Sequence, residues 1–385
     1  MEENAQNQQV DPELPIDNDN NITLLASDLY RNDPWMVLLR EKLSLNNWAS
    51  LITIVLLSIL CFYGLYRLPG TGQRLINQPL FALLETTTAT LCYIAYLWMP
   101  DTIAQLFNTL WYDDVLDQSI DTQNVAKSYT KFIQDLSFWM NRPLWPIGTF
   151  IFIIIYLVNR YLVNGPPFLT YVPLWLQLVT AVLDIIIAYN AIMCIIRLLI
   201  TLFFSNRLFR LFTIHVKPLH PDGAGGLGVM RNIVWFSVII IMATTLTFFN
   251  TIQLTTDRNT FSSSLDIIGL IAAYVILTPS LILGWLILPH SLMLKERDKV
   301  LKPLVDEFQA ITEHPQNLEM AETASILADN DRLSAITHRY SLINDSFPKW
   351  PLEVSQIRRL IATLSIPAFL TLIPYIINFI TKGFK

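Results

Sequence analysis

Cysteine is almost missing from this chain: three in 385 residues, with no C-x-x-C pair among them. Cys61, Cys92 and Cys194 all sit in apolar stretches, where a thiol behaves as a small hydrophobe. A disulfide framework and a zinc site of the usual spacing are therefore excluded. Charge is also scarce, with Asp, Glu, Lys and Arg at 15% of residues and a net charge of −5. No basic stripe is available to follow a phosphate backbone, so no nucleic-acid partner is expected. The first residues lack the basic n-region of a cleavable signal. Glycine numbers only twelve, and four of those fall within Gly223 to Gly228.

What the chain has in quantity is apolar residues, 53% of the total, in blocks rather than stripes. Seven blocks stand out, at about 48 to 67, 80 to 99, 144 to 162, 174 to 203, 233 to 250, 265 to 289 and 360 to 380. Each is long enough to cross roughly 30 Å of hydrocarbon as a helix. The expected fold class is an all-α integral membrane protein with about seven transmembrane helices. Of the 26 lysines and arginines, 20 lie in the N-terminal tail, in the second, fourth and sixth connections, or at Arg197 on the inner end of span four. Cytoplasmic loops retain Lys and Arg, which predicts a cytosolic N-terminus and an outer C-terminus in the plasma (inner) membrane.

Four segments follow. Residues 1–33, acidic and rich in Asn and Gln, read as a disordered cytosolic tail. Residues 34–294 carry spans one to six, with an inner helical connection at 100–143 and a glycine-rich inner loop at 204–232. Residues 295–358 read as a cytosolic helical segment, and residues 359–385 hold span seven. Within 100–143, Ile103, Leu106, Phe107, Leu110 and Trp111 recur at helical spacing, as do Tyr129, Phe132, Ile133 and Leu136. Two amphipathic helices under the membrane are predicted. Lys295, Arg297, Lys299 and Lys302 form a basic flank suited to anionic lipid. Breaks are expected near Pro315 and at Asp329-Asn330-Asp331. The sequons at Asn21 and Asn344 fall on the inner side and should be unused.

The densest chemistry runs from His215 to Gly228. Glycines let backbone N–H groups approach a ligand, so His220, Asp222, Gly223, Gly225, Gly226 and Gly228 form a candidate anion- or ligand-binding loop. Gly223, Gly225 and Gly228 satisfy GxGxxG formally, but a dinucleotide site needs a strand before it and a soluble βαβ unit around it. The alternative is a tight turn set by Pro221, Asp222 and Gly223, with Asp222 capping a helix. All five histidines, at 215, 220, 290, 314 and 338, fall on the inner side. His215, His220 and His290 are predicted at one depth, where a metal or proton-sensing cluster competes with a solvated role. No cofactor is called for.

The stretch His220-Pro221-Asp222-Gly223-Ala224-Gly225-Gly226-Leu227-Gly228 resembles the loop of bacterial multi-pass membrane proteins of undefined function that read His-Pro-Asp-x-Ala-Gly-Gly-Leu-Gly. That resemblance implies a multi-pass architecture and no activity. Separately, the seven-span, N-inside topology with large inner helices is similar to that of insect chemoreceptor-type ligand-gated channels, a likeness of architecture with no motif behind it.

Inside the spans, ionisable residues are expensive and normally face protein or water. Glu85, followed by Thr86, Thr87, Thr88 and Thr90, gives span two a wettable face. Asp184 shares a face with Gln177, and Asn190 shares another with Arg197, itself close enough to the inner interface to snorkel. In span seven, Thr363, Pro367, Thr371, Pro374 and Asn378 step by four, four, three and four. Such an uncharged polar stripe suits a narrow pore wall or a helix-packing seam. Thr278, Pro279 and Ser280 predict a kink in span six. The candidate ion pathway is thus Glu85, Asp184, Thr363, Thr371 and Asn378.

These features are expected of a homo-oligomeric, cation-permeable channel gated by a ligand or stimulus, with an anionic lipid or small molecule as its ligand. Three alternatives stay open: a non-transporting signalling or effector protein, a lipid-modifying enzyme using His220 and Asp222, and a secondary transporter.

Overall fold

The computed structural model describes residues 23–67, 79–113, 115–116, 122–164, 174–217, 220–256, 261–313, 323–348, 350, 358–359 and 362. Helices dominate, and the one extended pairing among the described residues is an isolated antiparallel bridge between Leu116 and Ile214. In order come α1 (Pro34–Val37, continued as a π-helical turn over Leu38–Lys42), α2 (Asn47–Arg67), α3 (Pro79–Tyr112), α4 (Thr122–Met140) and α5 (Leu144–Asn164). Then follow α6 (Leu174–Leu211), α7 (Met230–Thr256), α8 (Phe261–Glu313) and α9 (Thr323–Ser346). The first six apolar blocks fall in α2, α3, α5, α6, α7 and α8. The seventh, apart from Ala362, lies outside the described residues.

Three helical stretches, Asn124–Val158, Ala181–Leu211 and Met230–Thr247, are long and apolar enough to cross a membrane. The pair Pro34–Lys42 and Asn47–Cys61, bent by 117°, makes a fourth if it counts as one span. The outward faces agree: Phe150, Ile151 and Ile155 of α5 are all more than half exposed, an apolar surface that suits hydrocarbon rather than water.

The helices outrun the apolar blocks. At 1.5 Å per residue, α3 with 34 residues, α6 with 38 and α8 with 53 run to about 50, 57 and 80 Å, well beyond a bilayer core of roughly 30 Å. The surplus length builds a second, densely packed half. There Ile103, Leu106, Phe107 and Leu110 meet Tyr129, Phe132, Ile133 and Leu136, all buried as their spacing predicts. Trp111 stacks on Tyr129 at 4.4 Å, Phe132 meets Phe204 edge-on at 5.6 Å, and the Tyr129 hydroxyl donates to the Phe107 carbonyl at 2.7 Å. The first of the two predicted amphipathic helices is not separate, however. It is the end of α3, which continues through Pro100 because the flanking apolar side chains hold it in one core.

Two further expectations change. The disordered tail does not extend to residue 33: Leu24, Leu29 and Tyr30 are buried in the main core. Asn108 clamps the Leu24 backbone, its side-chain oxygen accepting from Leu24 N at 2.9 Å and its amide donating to Leu24 O at 3.0 Å. The Asn32 amide donates to Asn141 O at 2.7 Å. Nor does Asp329-Asn330-Asp331 break a helix, since all three lie within α9. There Leu301 and Leu304 of α8 pack on Ile336 of α9, and Arg332 pairs with Glu307 at 2.7 Å, so tertiary contact outweighs weak local propensity.

The chain then turns back. Phe347 is buried in the main core, Pro348 borders Gly225, and Trp350 stacks on His290 with ring centroids 3.8 Å apart.

Candidate functional site

Asp33 is built by local chemistry before any long-range contact. It is followed by Pro34, whose fixed φ suits the first helical position, and its carboxylate caps α1 by accepting from Trp35 N and Met36 N at 3.2 and 3.3 Å. The cap is then driven between α3 and α6. Oδ1 accepts from the Tyr96 and Tyr189 hydroxyls at 2.8 and 2.9 Å, and Oδ2 accepts from Arg197 Nη2 at 2.7 Å. The side chains of Arg197 and Asp33 are 2% and 3% exposed. Arg197 does not snorkel outward, because a buried charge is tolerated when paired and hydrogen-bonded, and here it is both.

From that pair a polar row runs along the α3–α6 contact. On α3, Glu85, Thr88, Cys92 and Tyr96 repeat at three, four and four residues, which puts them on one face. On α6, Asn190, Cys194, Arg197, Thr201 and Ser205 do the same. The Cys194 thiol donates to Cys92 O at 3.9 Å, and Arg197 lies over the Tyr96 ring at 5.2 Å, so the two helices run parallel in this register. Asn190 is one turn from Cys194, as Thr88 is from Cys92. Several buried atoms along the row have no protein partner among the described residues: Thr88 Oγ1, both amide atoms of Asn190, Arg197 Nε and Nη1, and Ser205 Oγ. Each such atom costs about 1–3 kcal/mol if nothing bonds it. A row of them in the middle of a helix bundle is suited to water or a permeating ion. Glu85 is partly buried at its far end, within electrostatic reach of Cys92.

The glycine-rich loop turns its donors inward. Ala224 N and Gly226 N donate to Asp222 Oδ1 at 2.9 and 3.1 Å, Gly228 N donates to Oδ2 at 2.8 Å, and the His220 Nδ1 lies 2.8 Å from Oδ1. The anion held by this nest is the chain's own carboxylate. Burial pushes the Asp222 carboxyl up, but the three N–H bonds and His220 outweigh it and hold it below the usual carboxylate value. Asp222 therefore caps its own loop rather than α7. Gly225 and Gly226 have φ of +67° and +94° and lie against Val216 and Val115, where a Cβ would come within 2.3 and 2.6 Å of a side-chain carbon. The loop is thereby fastened to the Leu116–Ile214 bridge, with His215 N donating to Val115 O at 2.8 Å.

Other expected sites scatter. Asp184 lies on an exposed face of α6, away from the row. His215, His220 and His290 make no metal cluster: no group of three His, Cys, Asp or Glu that could hold a metal occurs among the described residues, and His290 stacks on Trp350. Thr363, Thr371 and Asn378 lie outside the described residues. Asn190 and Arg197 do share a face, as their spacing predicts. The reading of the sequence missed Asp33, Tyr96 and Tyr189. The Asp33-Pro34 pair, a helix-start signature, was the available signal for the first; no local pattern marks the tyrosines.

These observations define, over the described residues, a helical chain with three or four helices long and apolar enough to cross a membrane and a polar row in its core. Comparison with protein-family profiles, with curated proteins and with solved structures gave no match.

Proposed function

We propose that the chain is a multi-pass plasma (inner) membrane protein that conducts cations as a homo-oligomer, with its N-terminus and the densely packed half in the cytosol. The observation that carries this reading is the row from Glu85 past Thr88 and Asn190 to Arg197, in which buried polar atoms of Thr88, Asn190 and Arg197 have no partner among the described residues. Asp33 neutralises Arg197 at the inner end, and Glu85 supplies a carboxylate toward the outer end. Stimulus gating is supported by the return of the chain after α9. Phe347, Pro348 and Trp350 clamp the cytosolic hairpin to the main core, the glycine loop and α8 immediately before the predicted seventh span. Movement of the hairpin would thus reach that span directly. The reading keeps the polar stripe Thr363, Thr371 and Asn378 of the predicted seventh span, which lies outside the described residues, as part of the proposed pathway.

Cation flux into liposomes holding the purified protein tests this. Glu85→Gln should weaken flux if the α3–α6 row conducts, and Thr371→Trp should block it if span seven lines the path. Absence of flux at every voltage and pH would end the channel reading.

A second reading is favoured by one observation. The hairpin leaves Leu327 and Leu342 more than half exposed and Phe308 partly so, apolar surface that suits a protein partner. A non-transporting signalling protein would work through that surface, with no flux and with output lost on Leu342→Asp.

A further inference from the structure

We infer that Tyr96, Tyr189 and Arg197 form a carboxylate-binding site at the inner end of the α3–α6 row, and that its occupant is a displaceable segment of this chain, residues 23–33, docked through Asp33. This does not depend on conduction; if the row conducts, the segment is its inner closure.

The site is built for an anion. Two hydroxyls and a guanidinium converge on one carboxylate at 2.7 to 2.9 Å, and Arg197 Nε and Nη1 have no partner among the described residues, so the guanidinium has more donors than Asp33 uses. All three receiving side chains are buried, at 0%, 7% and 2% exposure for Tyr96, Tyr189 and Arg197. The receiving groups are carried by two long helices, whereas the carboxylate arrives on the end of a short, irregular segment.

That segment is held lightly elsewhere. Its buried apolar anchors before Asp33 are Leu24, Leu29 and Tyr30. Its hydrogen bonds lie at part-buried or exposed positions: Leu24 with Asn108, Asn32 with Asn141, Thr23 with the Tyr112 hydroxyl, and the Ser137 hydroxyl and Asn141 amide donating to Asp28 O; Ala26 also packs on the core, and Arg40 lies over the Tyr30 ring. Ordering a run of backbone opposes docking at every residue, so a few apolar side chains and surface hydrogen bonds leave the balance to the Asp33 contacts. Withdrawal of Asp33 alone leaves a buried guanidinium uncompensated, which makes the docked state the resting one. A competing acidic peptide that offers its own carboxylate would remove that penalty, and is the class of ligand that would release the segment.

The native thiols report on it. Cys194 lies on the row one helical turn from Arg197, and Cys61 lies on α2; both are buried. Labelling of the full-length protein in proteoliposomes with a charged maleimide, read peptide by peptide by mass spectrometry, compares wild type with Asp33→Asn. Cys194 should label at least tenfold faster in Asp33→Asn while Cys61 keeps its wild-type rate. In Asp33→Leu/Arg197→Met, where no charge is left unpaired, Cys194 should return towards the wild-type rate. Unchanged Cys194 labelling in Asp33→Asn would show that the segment covers nothing displaceable. Parallel acceleration of Cys194 and Cys61 would show that Asp33 is part of an indivisible core. Either result overturns the inference, and neither bears on whether the protein conducts, which flux alone decides.

Discussion

Breaking the Asp33–Arg197 pair one residue at a time should destabilise the protein more than removing both residues together. Arg197→Met leaves a carboxylate at 3% exposure without its cation, and Asp33→Leu leaves a guanidinium at 2% exposure without its anion. Loss of one member of a buried pair costs about 3–5 kcal/mol, so independent effects would sum to about 6–10 kcal/mol. The double variant buries no charge. It still loses the α1 cap, about 1 kcal/mol, and the acceptor for two tyrosine hydroxyls, about 1–3 kcal/mol each. Asp33→Leu alone loses the same groups, so these costs cancel from the cycle and the two orphaned charges leave a coupling of at least about 3 kcal/mol. Reversible unfolding in mixed micelles, followed by circular dichroism for the wild type, both single variants and the double, measures all four corners. A coupling under about 0.5 kcal/mol, the additivity expected of distant sites, would refute the reasoning.

The glycine loop gives a pH test with a definite sign. The folded Asp222 carboxyl is held below its ordinary value, so its stabilisation is present above the unfolded value and is lost as pH falls through the folded one. Asp222→Asn should therefore lower the melting temperature at pH 7, and the gap from wild type should narrow as the buffer is acidified below the ordinary carboxylate range; a gap independent of pH would contradict this. Gly225→Ala adds a Cβ at positive φ and 2.3 Å from Val216 Cγ1, and should cost about 2–4 kcal/mol in the same unfolding assay, partly recovered by Val216→Ala. Trp350→Ala removes the stack on His290, worth about 0.5–1.5 kcal/mol beyond area, and should speed hydrogen exchange in α9 without altering α3.

The sequence carries the local features of this fold and misses its long-range pairings. The stripes Ile103 to Trp111 and Tyr129 to Leu136 are legible because 3.6-residue periodicity is a local signal, and both prove buried. The Asp222 loop is half legible: clustered glycines announce a nest of N–H groups, but only the fold shows that its anion is internal. Asp33 and Arg197 stand 164 positions apart. Each alone has an ordinary solvent-exposed reading, and neither residue type nor spacing reveals their contact. The same holds for Trp350 and His290, brought together by the α8–α9 hairpin. Asp329 to Asp331 looked like a turn because three polar residues lower helix propensity, an effect of tenths of a kcal/mol that packing at Ile336 outweighs.

The central claim is that the polar row between α3 and α6 conducts. Asn190 tests it most directly, since it is fully buried and both of its amide atoms lack a partner among the described residues. The decisive measurement is cation flux into proteoliposomes for wild type and Asn190→Leu, with folding checked by circular dichroism. The account predicts measurable wild-type flux and at least a tenfold loss in a folded Asn190→Leu protein. Wild-type flux that survives the substitution unchanged would place any pathway elsewhere and contradict it.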